Sequence, residues 1–129
     1  KPANYSKTKY KKNQNNISIE FERGMDIIST VSNKYKNIYT VGFAAETDSL
    51  KKNSLDKLTK KNLNMIVGNI ANHELKLGFE SDYNEVTIFT KNKSLKIALS
   101  KKSEIAKTVL NVIAGDYSSN IKLINKHAK

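Results

Sequence analysis

The stretch "VGFAAETDSL", residues 41–50, passes from apolar and small to acidic and hydroxylated within one short segment. The run from Val41 to Ala45 suits a strand buried on both faces. Its end at Glu46, Thr47 and Asp48 puts polar groups where ligands sit in parallel α/β sheets, in the crevice outside the carboxyl ends of the strands. Small side chains there let a ligand approach the backbone closely. Two lysines follow. Lys57 and Lys61 stand four residues apart, so a helix projects both from one face, spaced to bracket a polyphosphate. Lys9, Lys11 and Lys12, in "KYKK", form a second basic group ahead of a strand, where a loop can close over an anion. The shared chemistry is neutralisation of phosphate charge. On spacing alone the plainer readings stay open and are favoured: a buried strand leaving the core at a polar loop, and lysines on the solvated face of an amphipathic helix.

Other chemistries find little support. The sequence holds no Gly-rich phosphate loop of either common type and no nucleophile elbow. His73 and His127 are isolated from any metal-ligand spacing and read as surface or loop histidines. The absence of cysteine rules out a disulfide framework and a thiolate site, and it fits a reducing compartment. A net charge of +11 invites a nucleic-acid reading. Against it, Arg23 is the only arginine, whereas reading of base edges favours the arginine fork. The lysines are also spread along the chain among many Asn and Ile residues. A basic RNA- or polyanion-binding module without catalysis remains the alternative. No apolar run is long enough to span a bilayer and no basic-then-apolar leader opens the sequence, so a cytoplasmic location without membrane partners is expected.

The elements that must position these residues are readable by period. Residues 1–16 have almost no apolar content and read as a mobile basic arm. In "ISIEFE", Ile17, Ile19 and Phe21 alternate with Ser18, Glu20 and Glu22, as in a half-buried strand. After Gly24, the spacing of Ile28, Val31 and Tyr35 predicts a helix. Residues 39–70 read as strand, helix and strand, a βαβ unit that should cross over right-handedly. Ser49 is placed to cap its helix, with Leu50, Leu55 and Leu58 inward. Residues 85–99 alternate in period two around "KNK" and predict an antiparallel hairpin. Gly78 and the pair Ser81–Asp82 read as turn chemistry leading into it. Ile105, Val109, Val112 and Ile113 mark the face of a last helix, with Glu104 in its first turn and Gly115 just past its end. Residues 116–129 read as a polar tail. The domain reading is thus a flap (1–16), an α/β core (17–115) and a tail (116–129).

Six fragments now stand in a familiar order: "KYKK" (9–12), "MDI" (25–27), "VGFAAET" (41–47), "KLTKKNLNMIVGN" (57–69), "GFESDYNEVTIF" (78–89) and "SKKSEIAKTVL" (100–110). Together they resemble phosphopantothenate–cysteine ligase, usually the carboxy-terminal half of a bifunctional coenzyme A biosynthesis flavoprotein in bacteria. The resemblance begins part-way into the ligase domain. It implies that the family's Gly-containing nucleotide loop and first Rossmann strands lie upstream of Lys1, and a flavin-binding decarboxylase domain further upstream. FMN is therefore implied only where that domain is present, and residues 1–129 alone are expected to be inactive. The fold implied is the carboxy-terminal portion of a Rossmann-like three-layer α/β fold with an added antiparallel β-hairpin.

The family joins 4′-phosphopantothenate to L-cysteine. The substrate carboxylate attacks the α-phosphate of CTP, giving an acyl-cytidylate and pyrophosphate; the cysteine amine then attacks the acyl carbon and releases CMP. Such chemistry is mostly positioning and charge neutralisation, supplied by lysines and Mg²⁺. Carried over by motif, the resemblance implies that Phe43 lines the nucleotide pocket and that Lys57 and Lys61 contact the triphosphate. It makes Lys9 the catalytic lysine of a flap that closes on the reacting phosphate. Backbone groups of Met25, Asp26 and Ile27, matching the family's Pro-Asp-Ile, would read the pyrimidine edge. The K-x-K-K flap is typical of CTP-using bacterial enzymes rather than ATP-using eukaryotic ones, and a homodimer of ligase domains is implied. The sequence departs from the family in Met25 for Pro, in a shorter loop between Lys12 and Ile17, and in Asn64 where Asp is common.

Overall fold

The computed structural model describes residues 2–3, 18–71 and 81–127, with side chains up to residue 119. Helix α1 (Ile27–Lys34) leads into strand β1 (Val41–Glu46), helix α2 (Leu50–Lys60) and strand β2 (Met65–Ile70). Strands β3 (Tyr83–Thr90) and β4 (Ser94–Lys101) follow, and the long helix α3 (Lys102–His127) ends the described chain. The strands form one sheet in the order β1-β2-β3-β4. β1 and β2 run parallel, with Val41 opposite Met65 and Glu46 opposite Ile70. β2–β3 and β3–β4 are antiparallel, with an irregularity between Asn84 and Val86. The fold is Rossmann-like α/β, with the predicted βαβ unit and hairpin in place.

The sheet has a helix layer on each side, because the period of two sends alternate residues to opposite cores. On one side Ala44, Leu58, Leu63, Ile66 and Phe89 cluster, with Leu50 and Leu55 of α2 and Ile28 of α1 against them. On the other, Met65, Val67, Val86 and Ile88 meet Ile105 and Val109 of α3, flanked by Val112 and Ile113. Met65, Ile66 and Val67 are all buried although they alternate, which is why their apolarity is continuous rather than alternating. Burial of each such side chain contributes roughly 1.5–3 kcal/mol.

Four expectations are overturned. Residues 18–22 make no regular strand: Phe21 forms only an isolated bridge to Pro2, and both Ile19 and Phe21 are exposed. Their alternation is genuine, but among the described residues no sheet face receives it. Ser49 does occupy the N-cap position of α2, yet its backbone is left-handed (φ 46°, ψ 38°) and its side chain makes no capping bond. Gly115 does not end α3. The helix runs on to His127, and Gly115 sits in open space inside it, where a Cβ would meet nothing. A helical glycine costs about 1 kcal/mol relative to alanine, which tertiary contacts offset. Here the Tyr39 hydroxyl donates to Asp116 at 2.5 Å, and the Tyr39 ring meets Tyr117 edge-on at 5.7 Å. Tyr35, expected within the first helix from its spacing to Ile28 and Val31, is instead its exposed C-cap residue.

Candidate functional site

α2 ends in a Schellman motif. Asn62 takes the left-handed conformation (φ 50°), its N–H donates to Thr59 O at 3.1 Å, and Leu63 N–H donates to Leu58 O at 2.9 Å. Leu58 and Leu63 pack together in the core beneath, closing the motif's apolar contact. This termination fixes Lys61 as the C-cap residue. Its carbonyl accepts a short hydrogen bond from Ser32 Oγ, and Asn62 Nδ2 reaches Ser32 O at 3.4 Å. α1 is thereby held against the end of α2.

The start of α1 closes the same corner. Asp26 is its N-cap residue: Oδ1 accepts from Ser29 N–H at 3.1 Å, while Oδ2 pairs with Lys61 Nζ at 2.9 Å. The Lys61 ammonium, followed by the Ser29 N–H, holds the Asp26 carboxyl below its ordinary value. One turn earlier on α2, Lys57 Nζ lies 2.5 Å from Glu46 Oε1 at the carboxyl end of β1. Asn53 Nδ2 contacts the other oxygen of Glu46 at 3.3 Å and Asp48 O at 3.2 Å. On one face of α2 each lysine is thus held by its own acid, Lys57 by Glu46 and Lys61 by Asp26.

Of the residues singled out in the sequence, Lys57, Lys61 and Asp26 lie together at the α2 face. Met25 and Ile27 flank Asp26 in the chain, and their side chains are exposed. Phe43 lies elsewhere. A Cβ on Gly42 would meet Leu63 and Ile66, so Gly42 and Ala44 face α2, whereas Phe43 faces the α3 side. There it is 76% exposed and lines an apolar cavity of about 420 Å³ with Val67, Val109 and Leu110; Asn69, Asn84 and Lys102 are its polar lining residues. The sheet separates Phe43 from the lysine pair. Asn84 borders this cavity, its Oδ1 accepting from Glu85 N–H at 2.9 Å. Asp82 is exposed and its carbonyl accepts from Lys102 N–H at 2.8 Å, tying the start of α3 to the hairpin. Ser81 Oγ accepts from Tyr83 N–H at 3.1 Å, as turn chemistry requires. Lys9, Lys11, Lys12, His73 and Gly78 lie outside the described residues, as does the side chain of His127.

Sequence reasoning noticed Glu46 but not its partner, and it missed Asn53. The signal was the acid closing an apolar strand, read without the helix that answers it. Among the described residues no three metal-ligating side chains converge, and no helix is long and apolar enough to cross a membrane.

Residues 1–117 match the family described as "DNA/pantothenate metabolism flavoprotein C-terminal domain". The coenzyme A biosynthesis bifunctional protein CoaBC of Haemophilus influenzae is 37% identical over 115 residues, covering 88% of this chain and 28% of that protein. The chain thus spans less than a third of that relative's length. The crystal structure of the C-terminal domain of a coenzyme A biosynthesis bifunctional protein CoaBC superposes with a TM-score of 0.65 at 31% identity, over 78% of this chain and 46% of that one. A DNA/pantothenate metabolism flavoprotein from Streptococcus pneumoniae, 23% identical with a TM-score of 0.57 over 75% of this chain and 43% of that one, shares the fold.

Proposed function

This chain belongs to the DNA/pantothenate metabolism flavoprotein C-terminal domain family, and from that premise we propose that it serves coenzyme A biosynthesis as part of a CTP-dependent phosphopantothenate–cysteine ligase. The observation that carries this reading is the placement of Lys57 and Lys61 on one face of α2, beside the end of β1 and the start of α1. In the first step the 4′-phosphopantothenate carboxylate attacks the α-phosphorus of CTP and the bond to pyrophosphate breaks. The two ammonium groups neutralise the charge that gathers on the leaving phosphates. In the second, the amine of L-cysteine attacks the acyl carbon and CMP leaves. Phosphoryl transfer asks little more of a protein than positioning and counter-charge.

Lys9 is assigned to the reacting phosphate and the Met25–Ile27 backbone to the pyrimidine edge, whereas Phe43, on the far side of the sheet from the lysine pair, is given no part in holding the phosphates. The described carboxylates form no metal cage, so Mg²⁺ belongs to this reading as the counter-ion carried on the nucleotide's own phosphates. FMN belongs to it only where a flavin-binding decarboxylase domain accompanies the ligase. A homodimer in the cytoplasm is the proposed setting. The polyanion-binding alternative is disfavoured by the family match. The test is pyrophosphate release by the full-length chain that carries this sequence, with 4′-phosphopantothenate and either CTP or ATP. A clear preference for CTP is expected; equal rates with ATP, or no release, would overturn the assignment.

A further inference from the structure

The carboxylate of Glu46 is an unusual neighbour for a phosphate-binding lysine, since it carries the same sign as the ligand. We infer that Glu46 is a positioning residue, which fixes the Lys57 ammonium at the carboxyl end of β1 without itself touching the nucleotide. The inference rests on the nucleotide reading of Lys57 given above. Glu46 is the last residue of β1, in register with Ile70, and its carbonyl accepts from Ala71 N–H at 2.8 Å. Its backbone is therefore set by the sheet. Its side chain is only 11% exposed, and its two oxygens are taken by Asn53 and Lys57, residues four apart on successive turns of α2.

Exposure decides between the two roles open to such an acid. As a competitor for the lysine it would have to stand on the side from which an anion arrives. Instead the carboxylate is largely covered while the Lys57 side chain is 43% exposed, so an anion from solvent meets the ammonium first. A lysine ammonium has three donors, and the short contact to Glu46 uses one, leaving two for phosphate oxygens. A free lysine side chain samples many rotamers and must be ordered when its ligand binds. Glu46 does that ordering beforehand.

The experiment measures CTP affinity by titration calorimetry and steady-state kinetics in the full-length chain, with Glu46→Gln, Lys57→Gln and the double variant. Lys57→Gln should weaken CTP by about tenfold to a hundredfold. Glu46→Gln should weaken it by about threefold to tenfold, raising KM and also lowering kcat, because the ammonium it places meets the charge that gathers on the leaving phosphates. In the Lys57→Gln background the Glu46 substitution should cause no further loss, because its effect passes through Lys57. Tighter or unchanged binding by Glu46→Gln, where Lys57→Gln weakens it, overturns the positioning role and leaves the nucleotide reading intact. So does an additional loss in the double variant. Unchanged binding by Lys57→Gln overturns the nucleotide reading of that lysine and the inference with it. Should Glu46→Gln fail to fold by circular dichroism, Glu46→Asp, which keeps the charge but retracts it by one methylene, carries the same test. It should also weaken CTP only while Lys57 is present.

Discussion

Lys61 Nζ and Asp26 Oδ2 stand 2.9 Å apart, joining the last turn of α2 to the first of α1. The same carboxylate caps α1 through Ser29 N–H. Asp26 therefore does two jobs that substitution can separate. Asp26→Asn should keep the cap, since Asn caps as well as Asp, and lose the ion pair; Asp26→Ala should lose both. Melting temperatures should fall in the order wild type, Asn, Ala. The pH dependence has a definite sign. The Asp26 carboxyl is held below its ordinary value of 3.8, chiefly by Lys61, so its contribution is present above that pH. It is lost as pH falls through the lowered value. The gap between wild type and Asp26→Asn in thermal melts should thus be full at pH 5–6 and close below pH 4.

The two candidate phosphate lysines should differ in what they do for folding. Lys61 pairs with an exposed acid, so Lys61→Gln should change stability by no more than about 0.5 kcal/mol. Lys57 pairs with the nearly covered Glu46, and Lys57→Gln leaves that carboxylate with Asn53 as its remaining described donor. A cost of roughly 1 kcal/mol is expected. Lys52 lies exposed on the same helix, and Lys52→Gln should alter neither stability nor CTP-dependent acyl-cytidylate formation. Urea titration of the three variants, with turnover in the full-length chain, separates clamp from scaffold. Equal loss of turnover in all three would mean a general effect of surface charge.

What could be read from the sequence was whatever a single segment's period decides. The continuous apolarity of residues 41–45 and 65–67, and the spacing of Leu50, Leu55 and Leu58, gave the βαβ unit because each pattern reports its own burial. Alternation in residues 18–22 misled because it says that a face is apolar, not that a partner strand exists. Gly115 misled because helix propensity is a weak term beside the contacts of Asp116 and Tyr117. At the site, the helical spacing of Lys57 and Lys61 was legible, whereas the acids facing them were not. Those pairings depend on how α1 and β1 lie against α2. The period of two did contain one unused fact: Phe43 must point away from its neighbours Gly42 and Ala44, and hence away from α2.

Tyr39 anchors the continuation of α3 past Gly115. Its hydroxyl donates to Asp116 at 2.5 Å, and Lys93 Nζ lies 3.7 Å from the other oxygen of that acid. Tyr39→Phe should cost roughly 1 kcal/mol, at the low end for a bond to a charged group because the ring is only half-buried. Burial, and then the bond to Asp116, raises the Tyr39 hydroxyl above its ordinary value of 10.0. A group raised in the folded state stabilises fully below its unfolded value and loses that contribution as pH climbs through the folded one. Wild type should therefore lose its advantage over Tyr39→Phe above pH 10, and an advantage that persisted there would refute the linkage.

Among the described glycines, Gly68 leaves the least room for a side chain, because Ser54 lies against it. A Cβ on Gly68 would come within 2.6 Å of Ser54 Oγ and 2.8 Å of Leu50 Cδ1, both closer than van der Waals contact allows. Gly68 is central in the sheet and Ser54 is fully buried, so neither backbone yields easily. Gly68→Ala should destabilise by about 1–3 kcal/mol, as overpacking does. Ser54 has a further peculiarity: its buried hydroxyl has no hydrogen-bond partner among the described residues. A buried hydroxyl without a partner is a cost, and its removal leaves no other group unpaired. Ser54→Ala should therefore be neutral or stabilising by up to about 1 kcal/mol. The two changes should also couple, since deleting Oγ removes the nearer of the two clashes that Gly68→Ala creates. The double variant should recover roughly 0.5–2 kcal/mol relative to the sum of the single changes, whereas independent sites add to within about 0.5 kcal/mol. Chemical denaturation of the four proteins in one buffer measures this. Strict additivity would mean that the Leu50 contact alone sets how closely α2 approaches β2.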